Sequence, residues 1–518
     1  MQCCGQLLSR GNAAAATQSL LPYNVVISGG GVVGVAMMAS LQQLRMRLHS
    51  EVGAATGHTP SNAQASRLSR LLLADPAARP QYDPKNVIHS IRTVSLTPVS
   101  SKLLDSLGCW QELGTKHAYY RMAIRHEKTN GPLSADRSPQ QQRSKPFFVG
   151  SLLGGRGSVA EPLLEFTDLN RPLGFMSYTA EINAVLANII HDQKKQYEQL
   201  FEKGDNSANE GPLDRIEFGS TLGSYDLPQR DTIDGPFGRA VLCNAAGEEP
   251  LDFSLLLGCE GRGSQLREAI SSPMVQYNYG QTAFVCTVEL ENIADGNVCC
   301  FQNFFTNGDI IALLPTSESS ANIVFSTTPE QARALKEAPQ AELVEQLNRR
   351  LCAFAPRDIP RIIAVPEEDS QGKRVRAQGM FPLQLSVVLQ PFWPRCLLLG
   401  DAAHGIHPFA GQGLNLGLYD VCALTGVLER AVRCGQDMGS VTAVGQPFAA
   451  EMITHTGPMI AAMQSIYGML ATLPGLSCTG MGMLQKMPLV SSLGKQSIMH
   501  VASGGLFASR HRDSFLLA

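Results

Sequence analysis

The feature that most narrows the fold is a run of glycines set directly after a β-branched stretch. Tyr23-Asn24-Val25-Val26-Ile27-Ser28 leads into Gly29-Gly30-Gly31-Val32-Val33-Gly34, a G-x-G-x-x-G between an expected strand and a helix expected from Val32 to about Arg47. Gly29 allows the tight turn, Gly31 lets backbone approach a pyrophosphate, and Gly34 lets the helix pack closely on the strand, with Val33 in the same turn. The helix N-terminus, with unpaired N–H groups and the positive dipole end, then faces the anion. Such a pattern alone marks only a flexible turn. The strand before it and the helix after it make it a dinucleotide site.

A second strand is expected at Leu71-Leu72-Leu73-Ala74-Asp75, and Asp75 at its end is the natural carboxylate for the ribose hydroxyls of an adenosine half. An ordinary strand-end Asp is the plainer alternative. Asp75 lies 41 residues beyond Gly34, against a usual spacing of about 20. The small, polar residues 49–66, read as a loop, account for the excess. A carboxylate there repels a 2′-phosphate, so FAD or NAD suits the site better than NADP.

The stretch from Leu399 to Asn415 is the most informative in the chain. Its strand, Cys396 to Asp401, ends in Gly400-Asp401 and puts a carboxylate at the sheet edge, where it can accept from sugar-type hydroxyls. A loop with Pro408 follows, then Gly411-Gln412-Gly413 opens a helix through Leu414 and Asn415 to about Arg433. N–H groups at such an opening can bond the pyrimidine edge of a flavin and favour its anionic reduced ring. A lone GxG would only cap a helix. His404 and His407 invite a base role, but loop structuring is the simpler reading.

With 518 residues, 44% of them hydrophobic, the chain can bury a large core. A net charge of -3 gives no attraction to polyanions, which argues against a nucleic-acid partner. Thirteen cysteines without a CxxC pair or zinc-ligand spacing fit a reducing compartment and no metal. Residues 1–22 carry Arg10, hydroxyl residues and no acid, as an organellar presequence does; a frayed cytosolic terminus is the alternative. Residues 129–146 and 203–212 read as polar surface insertions. Phe284–Leu290, Ile310–Leu314 and Ile323–Thr327 alternate as strands of an antiparallel sheet do. No acid occurs between Glu451 and Asp513, and Met459, Met463, Ile466, Met469 and Leu470 recur at near-helical spacing. That stretch either packs on the core or meets a membrane or partner.

Taken together, Gly29 to Gly34 and the run GDAAHGIHPFAGQGLNLGLYD resemble the para-hydroxybenzoate-hydroxylase-type flavin monooxygenases and, among them, the ubiquinone-biosynthesis hydroxylases. The resemblance runs from Tyr23 to about Ser503 and includes Ile91 to Leu96, Tyr277 to Gln281, Ala312 to Pro315 and Phe381-Pro382-Leu383. It implies an α/β fold: a Rossmann-like FAD-binding domain, an inserted antiparallel-sheet substrate domain and a C-terminal helical segment. FAD is the implied cofactor. Arg92 is implied on its flavin side, with a surface salt bridge as the alternative, Asp401 at the ribityl chain, and Gly411 to Asn415 along the isoalloxazine. The family's middle signature, Gly-Ala-Asp-Gly, stands here as Gly258-Cys259-Glu260-Gly261, so that Glu260 replaces an Asp near the pyrophosphate; Asn303 stands where an Arg is usual.

The implied chemistry belongs to the cofactor: reduced flavin meets O2, forms a C4a-hydroperoxide and transfers oxygen to a phenol ring held between flavin and sheet. Its implied substrate is a polyprenylated phenol, hydroxylated at C5, with ferredoxin and its reductase as electron source. Other ubiquinone-biosynthesis proteins and peripheral contact with the mitochondrial inner membrane, on the matrix side, complete the expected surroundings. An NAD(P)H-dependent hydroxylase or epoxidase of another substrate, and a catalytically silent flavin-binding scaffold, are the alternatives. The expected division is a presequence at 1–22, FAD-binding parts at 23–128, 213–270 and 381–450, a mixed segment at 147–202, a substrate domain at 271–380 and a helical segment at 451–518.

Overall fold

Val25, Val26 and Ile27 have no exposed surface, because the strand they form, Tyr23–Ser28, lies in the middle of a parallel sheet. In this computed structural model the described residues are 21–56, 67–86, 91–126, 164–202, 214–231, 235–291, 299–353, 359–367, 377–406, 411–472, 503–511 and 514–517. The Tyr23 strand pairs in parallel with Leu71–Asp75 on one side and Gly247–Gly258 on the other. Asp214–Phe218 extends the sheet beyond Leu71, and Cys396–Leu398 extends it beyond Gly247, both in parallel. Leu71, Leu72 and Leu73 are wholly buried, as a parallel strand covered on both faces requires.

The first crossover helix runs Val32–Thr56, longer than its expected end near Arg47. Residues 49–56, expected as loop, are its last turns, and 57–66 lie outside the described residues. Glu51 helps to continue it, pairing with Arg47 one turn back at 3.6 Å and with Arg433 at 2.9 Å. The long interval before Asp75 is therefore partly helix. Two other helices, Thr179–Glu202 and Gly413–Arg433, pack against this one.

The strands expected around Phe284, Ile310 and Ile323 form the centre of a nine-stranded sheet, mostly antiparallel. It is wider than residues 271–380. Cys299–Phe304 gains a parallel neighbour in Arg121–His126, which in turn pairs with Leu164–Thr167, and Gln378–Val388 crosses the expected boundary at 380. Pairing explains this: the sheet completes its edges with whatever chain is adjacent in space, which sequence order does not reveal. One face is covered by the helices Pro329–Glu337 and Gln340–Leu351, whose Leu335, Leu343 and Leu347 meet Phe284, Ile311 and Phe325.

After the Gly413 helix, Gln446–Thr472 packs on it, followed by the short helix Gly505–Arg510. Met459 and Met463 are buried in the main core, which favours core packing for that part of the stripe. Ile466, Met469 and Leu470 lie on the same helix, their side chains outside the described residues. Among the described residues, no helix is long and apolar enough to cross a membrane.

Candidate active site

The glycine turn is built by contact as well as by backbone angle. Gly29 has φ +107°, and a Cβ there would lie 2.5 Å from the Cys259 carbonyl oxygen; a Cβ on Gly34 would lie 1.9 Å from the carbonyl oxygen of Gly29. At Gly31 an added Cβ meets nothing within 4 Å. Gly29 and Gly34 thus face protein, whereas Gly31 borders open space where a ligand can come close to the backbone.

That space is a cleft of about 770 Å³, within the usual range for small-molecule sites. Gly31 and Val33 of the first turn line it together with Arg92, Asp401, Gly413 and Leu414. Six expected site residues, drawn from four separate segments, thereby meet in one place. The helices that start at Val32, Thr179 and Gly413 all have first-turn residues in its wall. Their N-terminal N–H groups, with the Arg92 guanidinium, make the cleft receptive to an anion.

Asp401 is about two-fifths exposed, with Oδ2 3.5 Å from Arg262 Nε. Arg92 stacks on Phe381 at 4.5 Å from the ring centre, and among the described residues no acid pairs with it. Asp75 does not line the cleft; its carboxylate accepts from the backbone N–H of Gly30 and, at 2.7 Å, from that of Ala77, which fixes the turn. Gly411, with φ +61°, packs against Ser95. Asn415 is fully buried: Oδ1 accepts from Thr97 N at 3.1 Å and Nδ2 donates to Ser95 O at 2.8 Å. It joins the second turn to the strand Thr93–Leu96. Pro408 and His407 lie outside the described residues.

The two departures from the family pattern have structural work here. The Glu260 carboxylate accepts from Ser28 Oγ and Ser264 Oγ at 2.6 Å each, from Leu266 N at 3.0 Å and from Tyr225 OH at 3.3 Å. With four protein donors it ties the strand end before the glycine turn to the helix Gln265–Ala269. Asn303, wholly buried, donates to the carbonyls of Arg350 and Leu351 at the end of the Gln340 helix. An Arg there would carry its charge into a packed interior.

Behind Gly411 a second, smaller hollow opens toward the face of the nine-stranded sheet opposite the helices Pro329–Glu337 and Gln340–Leu351. Ser95, Tyr119, Cys300, Gln302, Leu314 and Ser326 are among its walls. Ser95 Oγ and Tyr119 OH are 2.7 Å apart, and burial pushes the tyrosine hydroxyl up. His404 borders neither space. It is fully buried with Nε2 2.6 Å from Asp420 Oδ2, so a structural place is what the geometry gives it.

Sequence reading missed the Thr179 helix, whose Asn183 donates to Gly30 O at 3.2 Å, and the wall formed by Gln378, Gly379 and Phe381. Thr179 ahead of an apolar-periodic run marks a helix start. Nothing local ties that helix to a cofactor.

Comparisons with known proteins agree with this geometry. The family described as FAD binding domain matches residues 238–439. Ubiquinone biosynthesis monooxygenase COQ6, mitochondrial, of Xenopus tropicalis is 26% identical over 483 residues, covering 88% of this chain and 87% of that protein. Its Homo sapiens counterpart is 26% identical over 461 residues, with 85% and 84% covered. Among solved structures, P. aeruginosa PqsL in complex with 2-aminobenzoylacetate aligns at TM-score 0.56 and 16% identity, over 88% of this chain and 98% of that one. A ternary complex of aklavinone-11 hydroxylase with FAD and aklavinone aligns at 0.54 and 15%, over 88% and 70%.

The matched FAD-binding family and the similarity to these monooxygenases support a FAD-dependent monooxygenase, and the fold and cleft accord with it. Over most of its length the chain is similar to the mitochondrial ubiquinone biosynthesis monooxygenases.

Proposed function

We propose that this enzyme hydroxylates the aromatic ring, at C5, of a polyprenylated phenol in ubiquinone biosynthesis. The observation that carries the reading is the convergence of the Gly31 and Gly413 turns on one cleft, with a sheet-backed hollow directly beyond Gly411. FAD, when bound, supplies the oxygen-transfer chemistry. The protein's share is to hold cofactor and ring and to exclude water.

In this assignment Gly29, Gly31, Val33 and Gly34 form the pyrophosphate turn. Asp75 serves the adenosine ribose, its oxygens keeping acceptor capacity beside the bonds from Gly30 and Ala77. Arg92 and Asp401 attend the flavin side and the ribityl chain. Pro408, Gly411, Gly413, Leu414 and Asn415 belong to the isoalloxazine loop, with Asn415 acting through its hold on Ser95. Glu260 acts behind the pyrophosphate by fixing Ser28.

The single glycine fingerprint favours an external electron source, a ferredoxin with its reductase, over NAD(P)H bound in a domain of its own. Names of the curated relatives support a mitochondrial location, and peripheral attachment to the matrix side of the inner membrane, among other ubiquinone-biosynthesis proteins, belongs to the same reading.

The test is anaerobic reduction of purified, yellow protein. Bleaching by a reduced ferredoxin couple and not by NADPH, followed by ring hydroxylation of a short-chain prenylphenol in air, is the expected result. Rapid bleaching by NADPH alone transfers the assignment to an NAD(P)H-dependent hydroxylase. Bleaching without hydroxylated product leaves a flavin-binding scaffold.

A further inference from the structure

Three polar side chains meet in the interior just behind the turn that presents Asp401. The Asp420 carboxylate, fully buried on the Gly413–Arg433 helix, accepts from Gly400 N at 2.9 Å and from His404 Nε2 at 2.6 Å on one oxygen. Its other oxygen takes His455 Nε2 at 2.8 Å, from the Gln446–Thr472 helix. Gly400 has φ +57°, a left-handed conformation open to glycine among many others, and the bond to Asp420 selects it. One carboxylate therefore joins the cofactor-facing turn, the strand after it and a helix that touches neither cavity.

The far side of His455 is closed by the chain's end. Its ring meets Tyr419 and Phe507 edge-on, and Phe507 stacks on Tyr419 at 4.6 Å. Nδ1 of His404 and Nδ1 of His455 have no hydrogen-bond partner, so both rings are committed through Nε2. A buried anion with three converging donors is costly to disturb, because removal of any one leaves charge undercompensated.

We propose that Asp420 is a positioning residue for the turn Gly400–Asp401, and that His455 makes its setting depend on docking of the Gln446–Thr472 helix. The proposal rests on the reading of Asp401 as a cofactor contact. Asp420 touches neither the cleft nor the hollow and acts only through Gly400 and His404.

Protonation follows from the same contacts. Burial alone pushes His404 down, but the charge and hydrogen bond of Asp420, with Asp401 further off, outweigh it and hold the imidazole above its ordinary value. Burial likewise works against the Asp420 anion, and His404 and His455 overcome it, keeping the carboxyl well below the usual range. The other titratable groups turned toward this cluster are Cys259 and Tyr419, both pushed up by burial, and His511 beside His455. The Gly400 turn is thus best held while His404 is protonated; as pH rises past the raised histidine value the neutral ring still donates through Nε2 and the charge attraction is lost.

The test uses the FAD-loaded full chain and follows flavin fluorescence, which rises on release, against pH. Asp420→Asn keeps the shape, and its amide can donate to His455 in the other tautomer, so hydrogen bonds survive while the charge goes. Expected are a folded protein, FAD binding weakened at least tenfold and a release midpoint at least one pH unit lower. His404→Gln should erase the midpoint. His455→Phe should weaken FAD binding, with partial rescue by His455→Gln, which restores a donor.

Wild-type FAD affinity and an unmoved midpoint in Asp420→Asn would overturn the proposal, as would a lowered melting temperature with the midpoint unchanged. If Asp420→Asn does not fold, the wild-type and His404→Gln midpoints decide it: equal curves overturn it. A wild-type chain that binds no FAD defeats the cofactor reading, a different result from FAD-loaded variants that behave alike.

Discussion

Val33 Cγ2 lies 2.6 Å from the point where a Cβ on Gly417 would stand. The two crossing helices are thus packed to the limit at this pair, and a Cβ on the neighbouring Gly400 would stand 3.2 Å from the same methyl group. Gly417→Ala should destabilise the enzyme by about 1–3 kcal/mol through overpacking. Val33→Ala in the same chain should restore part of the loss, and a double-mutant cycle in urea measures the coupling.

Gly31 and Gly34 should respond in opposite ways to a side chain. Gly31→Val meets open space, so the fold should keep its melting temperature within a few degrees while FAD retention is lost. Gly34→Ala collides with the Gly29 carbonyl and should reduce soluble yield and helical signal before flavin binding can be measured. Circular dichroism alongside flavin absorbance separates the two.

Asn303→Ala removes the donor shared by the Arg350 and Leu351 carbonyls. A cost of about 1–3 kcal/mol is expected for leaving buried acceptors unmade. Because Asn303 faces the helices and not the hollow, FAD affinity should not change. Asn303→Arg should be worse, since it adds a charge to a site with no exposed surface. Denaturant midpoints and flavin titrations check both statements.

Stability should also vary with pH in a defined direction. Asp420 has its value depressed, so its contribution is present above the unfolded-state value of about 3.9 and is lost as pH falls through the folded one. His404 has its value raised, so its contribution is complete below about 6.5 and is lost as pH rises through the folded one. Melting temperature should therefore decline as pH rises past the raised histidine value, and His404→Gln should flatten that limb.

Both glycine turns were legible because much of what they require is local, the positive φ of Gly29 and Gly411 and the approach of Gly34 to the Gly29 carbonyl, whereas the contact of Gly29 with Cys259 was not. Strands such as Tyr23–Ser28 and Leu71–Asp75 were equally plain, being β-branched or leucine-rich and bounded. Asp420 carries no sequence signal of its own. Its partners stand 16, 20 and 35 residues away on three elements, and no spacing rule joins them. Asn183 is harder still, since it reaches Gly30 from 153 residues downstream. The helical end of residues 49–56 escaped for a different reason: glycine and small polar residues lower helix propensity, yet tertiary pairing of Glu51 with Arg433 offsets it.

Val388 N donates to the Ala403 carbonyl at 2.8 Å, and Val387 and Ser386 stand opposite His404 and Gly405. The last rung of the broad sheet is therefore the stretch that immediately follows Asp401. Backbone hydrogen bonds thus join the sheet directly to the segment that carries Asp401. Aromatic compounds that bind against this sheet without reacting should consequently perturb the yellow colour of the enzyme.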